Sequence, residues 1–201
     1  MNKRKPISLI FVMSLAFIII QGCATIDTPK GVCLADSKGQ HILTNAIEEK
    51  SEKHNPYVQL INAQNILLLH AKTYTLSLFS DVPKDGCFKT PFILAHKEEG
   101  YQWFNASGEK LYNVYWFDNG PDYAEDGLFR FKKNGLIGYA DESTYEIVIP
   151  ARYQAAQPFQ NGQAKVSYKA DINQLDNEHS GWKNTDYITI NKQGEVVGSK
   201  M

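Results

Sequence analysis

Apolar and polar positions alternate over much of this chain, and one stretch breaks the rule. Residues 7–20 form an uncharged, mainly apolar run of 14, preceded by Lys3, Arg4 and Lys5. A spanning helix needs ~20 apolar residues, so a shorter run behind a basic segment predicts a secretory signal, removed with residues 1–22. Beyond it the period is two. Leu128, Phe129, Arg130 and Phe131 lead through Asn134-Gly135 into Leu136 to Ala140. Asn-Gly between two such runs is a strong short-range hairpin signal. The 11 tyrosines and 10 phenylalanines also favour strands over a helical bundle.

Turn signals recur between the alternating runs. They begin at Asp36, Asn105, Asp141 and Asn191, and His70 occupies the corresponding place in a worn copy. The successive spacings are 34, 35, 36 and 50. Asp126-Gly127 and Asn161-Gly162 mark a second series in the same frame. Asp and Asn start such turns by bonding nearby backbone, and Gly accepts positive φ at little cost. A fixed period in this range predicts stacked repeats of about three short strands each. The last spacing exceeds one period, which places an insertion at 167–186.

Two segments resemble known patterns. Ile20, Gln21, Gly22 and Cys23 resemble the lipobox of bacterial lipoproteins, whose cysteine is acylated and becomes the first residue. Ala24 and Thr25 lack the aspartate that resembles an inner-membrane retention signal, so anchoring to the outer membrane, facing the periplasm, is expected in a two-membrane bacterium. Residues 23–31 are then a lipidated tether. Gly135 to Asp141, then Ile147 to Pro150, Tyr153, Ala156, Phe159, Gly162, Ala164 and Val166 look like the bacterial WG-repeat pattern. The match is good over 124–166 and recognisable over 100–197, with Ile137 where the eponymous tryptophan stands. It implies degenerate β-repeats of ~35 residues. The expected fold is all-β, a curled meander or propeller-like stack, with a worn half at 32–99 and clearer repeats at 100–201.

Charge and cysteines narrow the function. From Cys23 onward there are 18 basic and 22 acidic residues, a balance of −4 without a basic block. Nucleic-acid binding needs clustered Lys and Arg, so it is not expected. With Cys23 lipidated, Cys33 and Cys87 remain in an oxidising compartment, where a disulfide is expected, the alternative being two buried free thiols.

No catalytic constellation or cofactor motif is found. There is no Gly-x-Ser-x-Gly elbow and no phosphate-binding glycine loop, and His41, His54, His70 and His96 show no metal spacing. The acidic residues Glu98, Glu99, Asp122, Glu125 and Asp126 read as solvated turns rather than paired catalytic carboxylates. In the repeat register Leu111, Val114 and Phe117 fall at core positions and Trp116 at an exposed one. Tyr115 and Trp116 are therefore candidate partner contacts, with packing against a neighbouring unit as the alternative. His179 and Trp182 in the polar insertion are further candidates, against a purely decorative loop.

The expectation is a non-catalytic binding module held by the lipid anchor and contacting an envelope protein. An immunity protein that neutralises a toxin delivered into the periplasm is the alternative, and a cell-wall hydrolase a weaker one.

Overall fold

The structure, a computed structural model, describes residues 31–35, 58–62, 66–69, 73–174, 180–183 and 185–198. The export signal, Cys23, His70 and His179 lie outside the described residues. Those described form eighteen strands and no α-helix. In chain order they are β1 (Val32–Ala35), β2 (Gln59–Ile61), β3 (Leu67–Leu69), β4 (Tyr74–Leu76), β5 (Cys87–Phe88), β6 (Phe92–His96) and β7 (Gly100–Phe104). Then come β8 (Lys110–Val114), β9 (Trp116–Phe117), β10 (Gly120–Pro121), β11 (Leu128–Lys133), β12 (Leu136–Asp141) and β13 (Ile147–Tyr153). The last are β14 (Ala155–Ala156), β15 (Gln163–Ser167), β16 (Asp171–Gln174), β17 (Ser180–Lys183) and β18 (Ile188–Asn191).

The fold is all-β, but it is not a stack of repeats. Its sheets are open and unequal: seven strands in the order β13-β12-β11-β8-β7-β6-β4, four in the order β3-β2-β1-β5, three in the order β14-β15-β18, and the pairs β9–β10 and β16–β17. Among the described residues neither a propeller nor a curled meander is formed. The reason lies in what a turn specifies. Turn chemistry closes a hairpin, but the sheet that a hairpin joins depends on distant partners. The insertion at 167–186 contains an antiparallel strand pair, with Asp171 opposite Lys183 and Gln174 opposite Ser180.

Locally the turns follow their sequences. Asn134 and Gly135 both have positive φ (54° and 78°), as do Asp126-Gly127 and Asn161-Gly162. Two consecutive left-handed residues make the type I′ turn, whose twist suits a hairpin. Two other turns match each other bond for bond. Asn105 Oδ1 accepts the N–H of Ser107 and Glu109, and Asn191 Oδ1 accepts those of Gln193 and Glu195. A glycine at positive φ, Gly108 or Gly194, completes each. Gly138 meets a different demand. A Cβ there would lie 2.6 Å from the Ile149 carbonyl oxygen and 2.7 Å from the Phe131 ring, so only glycine lets β12 and β13 approach.

Two main cores cover the long sheet. Val32, Leu34, Leu60 and Phe88 of the four-stranded sheet pack with Leu76, Phe92, Leu94 and Phe104. There Phe88 stacks on Phe92 with ring centroids 4.0 Å apart. Cys33 and Cys87, directly opposite on β1 and β5, form a disulfide. Further along, Tyr139, Ile149 and Tyr153 pack with Phe159, Val166 and Ile190, closing the three-stranded sheet onto β12 and β13.

Candidate interaction surface

After β8 the chain leaves the long sheet as the small hairpin β9–β10, with Trp116 opposite Pro121 and Phe117 opposite Gly120. Two strand residues a side cannot hold such an excursion in place. It is held from below by Arg130 of β11, which alternation alone would leave facing water. Asp122, just past β10, accepts Arg130 Nε–H (2.9 Å) and the Arg130 backbone N–H (2.7 Å), and a second guanidinium bond reaches its other oxygen. The side chains are only 2% and 3% exposed. Arg130 Nη1 donates to the Ala156 carbonyl at 3.0 Å, tying β11 to β14. The guanidinium carbon also lies 4.3 Å from the Tyr115 ring centroid and 4.9 Å from that of Phe117. Every donor–acceptor match is made: among the described residues no buried side-chain nitrogen or oxygen lacks a partner. Breaking such a buried pair by removing one member costs about 3–5 kcal/mol, because the other charge stays stranded.

Upon this base sits an outward-facing aromatic group. Trp116, 40% exposed, stacks on Tyr101 of β7 with centroids 4.5 Å apart and planes 22° from parallel. Phe79, in the turn after β4, meets Trp116 edge-on at 5.3 Å and Tyr101 at 6.2 Å. A Cβ on Gly120 would come within 3.3 Å of the Phe79 ring, so the hairpin lies close under it. Leu78, beside Phe79, is 84% exposed. Both stacked and edge-on ring pairs are favourable geometries, so the three rings hold one another in register without a core above them.

The sequence candidates separate here. Trp116 belongs to the shelf. Tyr115 does not: it is buried under Arg130, and burial pushes its phenol above the ordinary range. Trp182 is half-buried and packs against the core around Tyr139 and Ile190. Phe117, expected in the core, is 44% exposed because the hairpin has left the sheet. Val114 is buried. Asp122 is not a solvated turn residue but half of the buried ion pair. His96 works as a turn acceptor, its Nδ1 taking the backbone N–H of Glu98 and Glu99.

Sequence reading missed Phe79 and Tyr101, which lie 22 positions apart and 15 or more from Trp116. No local spacing links them; only the pairing of β6 with β7 and the return of the 77–80 turn bring them together. Among the described residues no three His, Cys, Asp or Glu side chains are grouped closely enough to hold a metal ion. No protein-family model matches this chain, and neither curated proteins nor solved structures give a match.

Proposed function

We propose that this chain is a non-catalytic interaction module, lipid-anchored through Cys23 at the periplasmic face of the outer membrane, which grips a protein partner with Phe79, Tyr101 and Trp116. The observation that carries the proposal is the stacked, solvent-facing trio on a rigid base. Contiguous exposed apolar side chains mark contact sites, and Trp and Tyr are enriched among the residues that dominate binding energy in protein interfaces. A protein surface suits the shelf better than a sugar does. Leu78, 84% exposed beside Phe79, adds aliphatic surface that apolar side chains cover better than hydroxyls do, while the Tyr101 hydroxyl and the Trp116 indole N–H are the trio's polar atoms. The anchor rests on the basic segment, the 7–20 run and the lipobox-like Cys23. The WG-type stretch at 124–166 is consistent with a bacterial envelope protein and adds no chemistry.

The test is a photo-crosslinking residue in place of Leu78, used in cells. One discrete protein adduct is expected, and Trp116→Ala should abolish it while leaving the thermal melt unchanged. Crosslinks to lipid alone, or an adduct indifferent to Trp116→Ala, overturn the proposal. Cys23→Ser should in parallel release the protein from the membrane fraction.

A further inference from the structure

Three turns of this fold end in a left-handed residue followed by glutamate: Gly108-Glu109, Gly194-Glu195 and Tyr145-Glu146. In the first two the turn opens with asparagine, and its amide holds the glutamate. Asn105 Nδ2 donates to Glu109 Oε2 at 2.8 Å, and Asn191 Nδ2 to Glu195 Oε2 at 2.8 Å. The third opens with Asp141, which accepts the N–H groups of Ser143 and Thr144 at 2.9 Å each. A carboxylate has no N–H to give, so Glu146 is released from the bond its counterparts make. Among the described residues no cation pairs with it.

The glycine position differs as well. Tyr145 sits at φ 60°, where a bulky side chain is strained. Strain of this kind persists only where the surroundings over-determine it, and it concentrates at functional sites. Here the Tyr112 hydroxyl donates to the Tyr145 carbonyl at 2.9 Å, and the Tyr145 ring packs on Trp103 and Phe129 at 4.9 and 5.5 Å. Both departures face one cleft of about 430 Å³, within the ordinary range for small-ligand sites. Pro91, Leu111, Tyr112, Tyr145 and Ile147 give it an apolar lining, and Glu146 is its one charged residue. The Asn105 side chain is already bonded to its own turn, and the Thr144 hydroxyl donates to Asp141 Oδ1 and accepts the Glu146 N–H. Glu146, itself exposed, is therefore the cleft's one anionic acceptor, beside aromatic rings and the Tyr145 hydroxyl.

We infer that this cleft binds an organic cation with an apolar body, an ammonium or guanidinium group pairing with Glu146 while the body lies against Tyr112, Tyr145 and Leu111. The site stands apart from the Trp116 shelf and does not depend on it. Titration of the purified protein with phenethylamine, followed by amide NMR, tests it. Saturable shifts at Leu111 and Ile147 are expected. Glu146→Gln should weaken binding by about fivefold, the scale of a solvent-exposed ion pair. Tyr145→Gly, which relieves the backbone strain, should weaken it as well. Phenylacetate, the same ring with the opposite charge, should not bind. Absence of saturable shifts overturns the inference, and so does phenethylamine binding that Glu146→Gln leaves unchanged.

Discussion

Around β4, β6 and β7 the long sheet is covered by aliphatic and phenylalanine side chains, with a covalent bond between β1 and β5. Around β11, β12 and β13 it is covered by tyrosines, and the cross-links are polar. The Tyr139 hydroxyl donates to the Gln157 carbonyl at 2.6 Å, and Arg130 bridges Asp122 and Ala156. An apolar cluster gains stability in proportion to the area it buries, without directional bonds. A polar network demands that every partner stay in place, because a buried group left unpaired costs more than its bond contributes. The shelf spans both: Phe79 and Tyr101 rise from the aliphatic side, and the hairpin that carries Trp116 rests on the polar network of Arg130 and Asp122.

The largest expected effect breaks that network. Asp122→Ala should lower unfolding free energy by about 3–5 kcal/mol in urea denaturation. Replacing both partners, as Asp122→Leu with Arg130→Met, should cost markedly less than Asp122→Ala alone, since no charge is then stranded. Equal losses would mean that the pair contributes mere packing volume.

Reduction of Cys33–Cys87 comes next, at about 2–4 kcal/mol, the bond closing a sequence separation of 54 residues. Hydrogen exchange sharpens the contrast. The amides of Leu34 and Leu60 should exchange faster after reduction, while those of Tyr139 and Ile190 keep their protection. Uniform loss across both clusters would show that the two cores melt as one.

The smallest effect is expected from Tyr139→Phe, about 1 kcal/mol for one hydrogen bond. Burial holds the Tyr139 and Tyr112 phenols above their ordinary range in the folded chain. Below about pH 10 both phenols are neutral, folded or unfolded. Above it the unfolded chain releases protons that the folded chain retains, so stability falls as pH rises. Tyr139→Phe should make that alkaline decline shallower, and a decline of unchanged slope would remove Tyr139 from its causes.

How much of this was legible before folding varies from residue to residue. Asn134-Gly135, Asp126-Gly127 and Asn161-Gly162 declare their turns, because few other residues tolerate consecutive positive φ. A Cys33–Cys87 bond is the expectation for an exported chain, with two free thiols as the alternative, and the structure forms it. Arg130 was not legible. Between Phe129 and Phe131 it reads as the wet side of a strand, yet the sheet is covered on both faces there, and Asp122 supplies the counter-charge from eight residues upstream. Phe117 misled in the opposite direction, since a register carried over from β13 does not hold where β9 leaves the sheet. The Glu146 cleft needed two substitutions within one turn to be compared with its neighbours in space.

By itself the sequence determined the strand class and the hairpin turns, matters of φ preference and period-two patterning, and led to the expectation of a Cys33–Cys87 bond with two free thiols as the alternative. Which strands share a sheet, how the three rings of the shelf meet, and which charges are buried were decided only in three dimensions. Turn chemistry acts over four or five residues. Sheet membership and desolvation depend on partners tens of residues away, which no local pattern encodes.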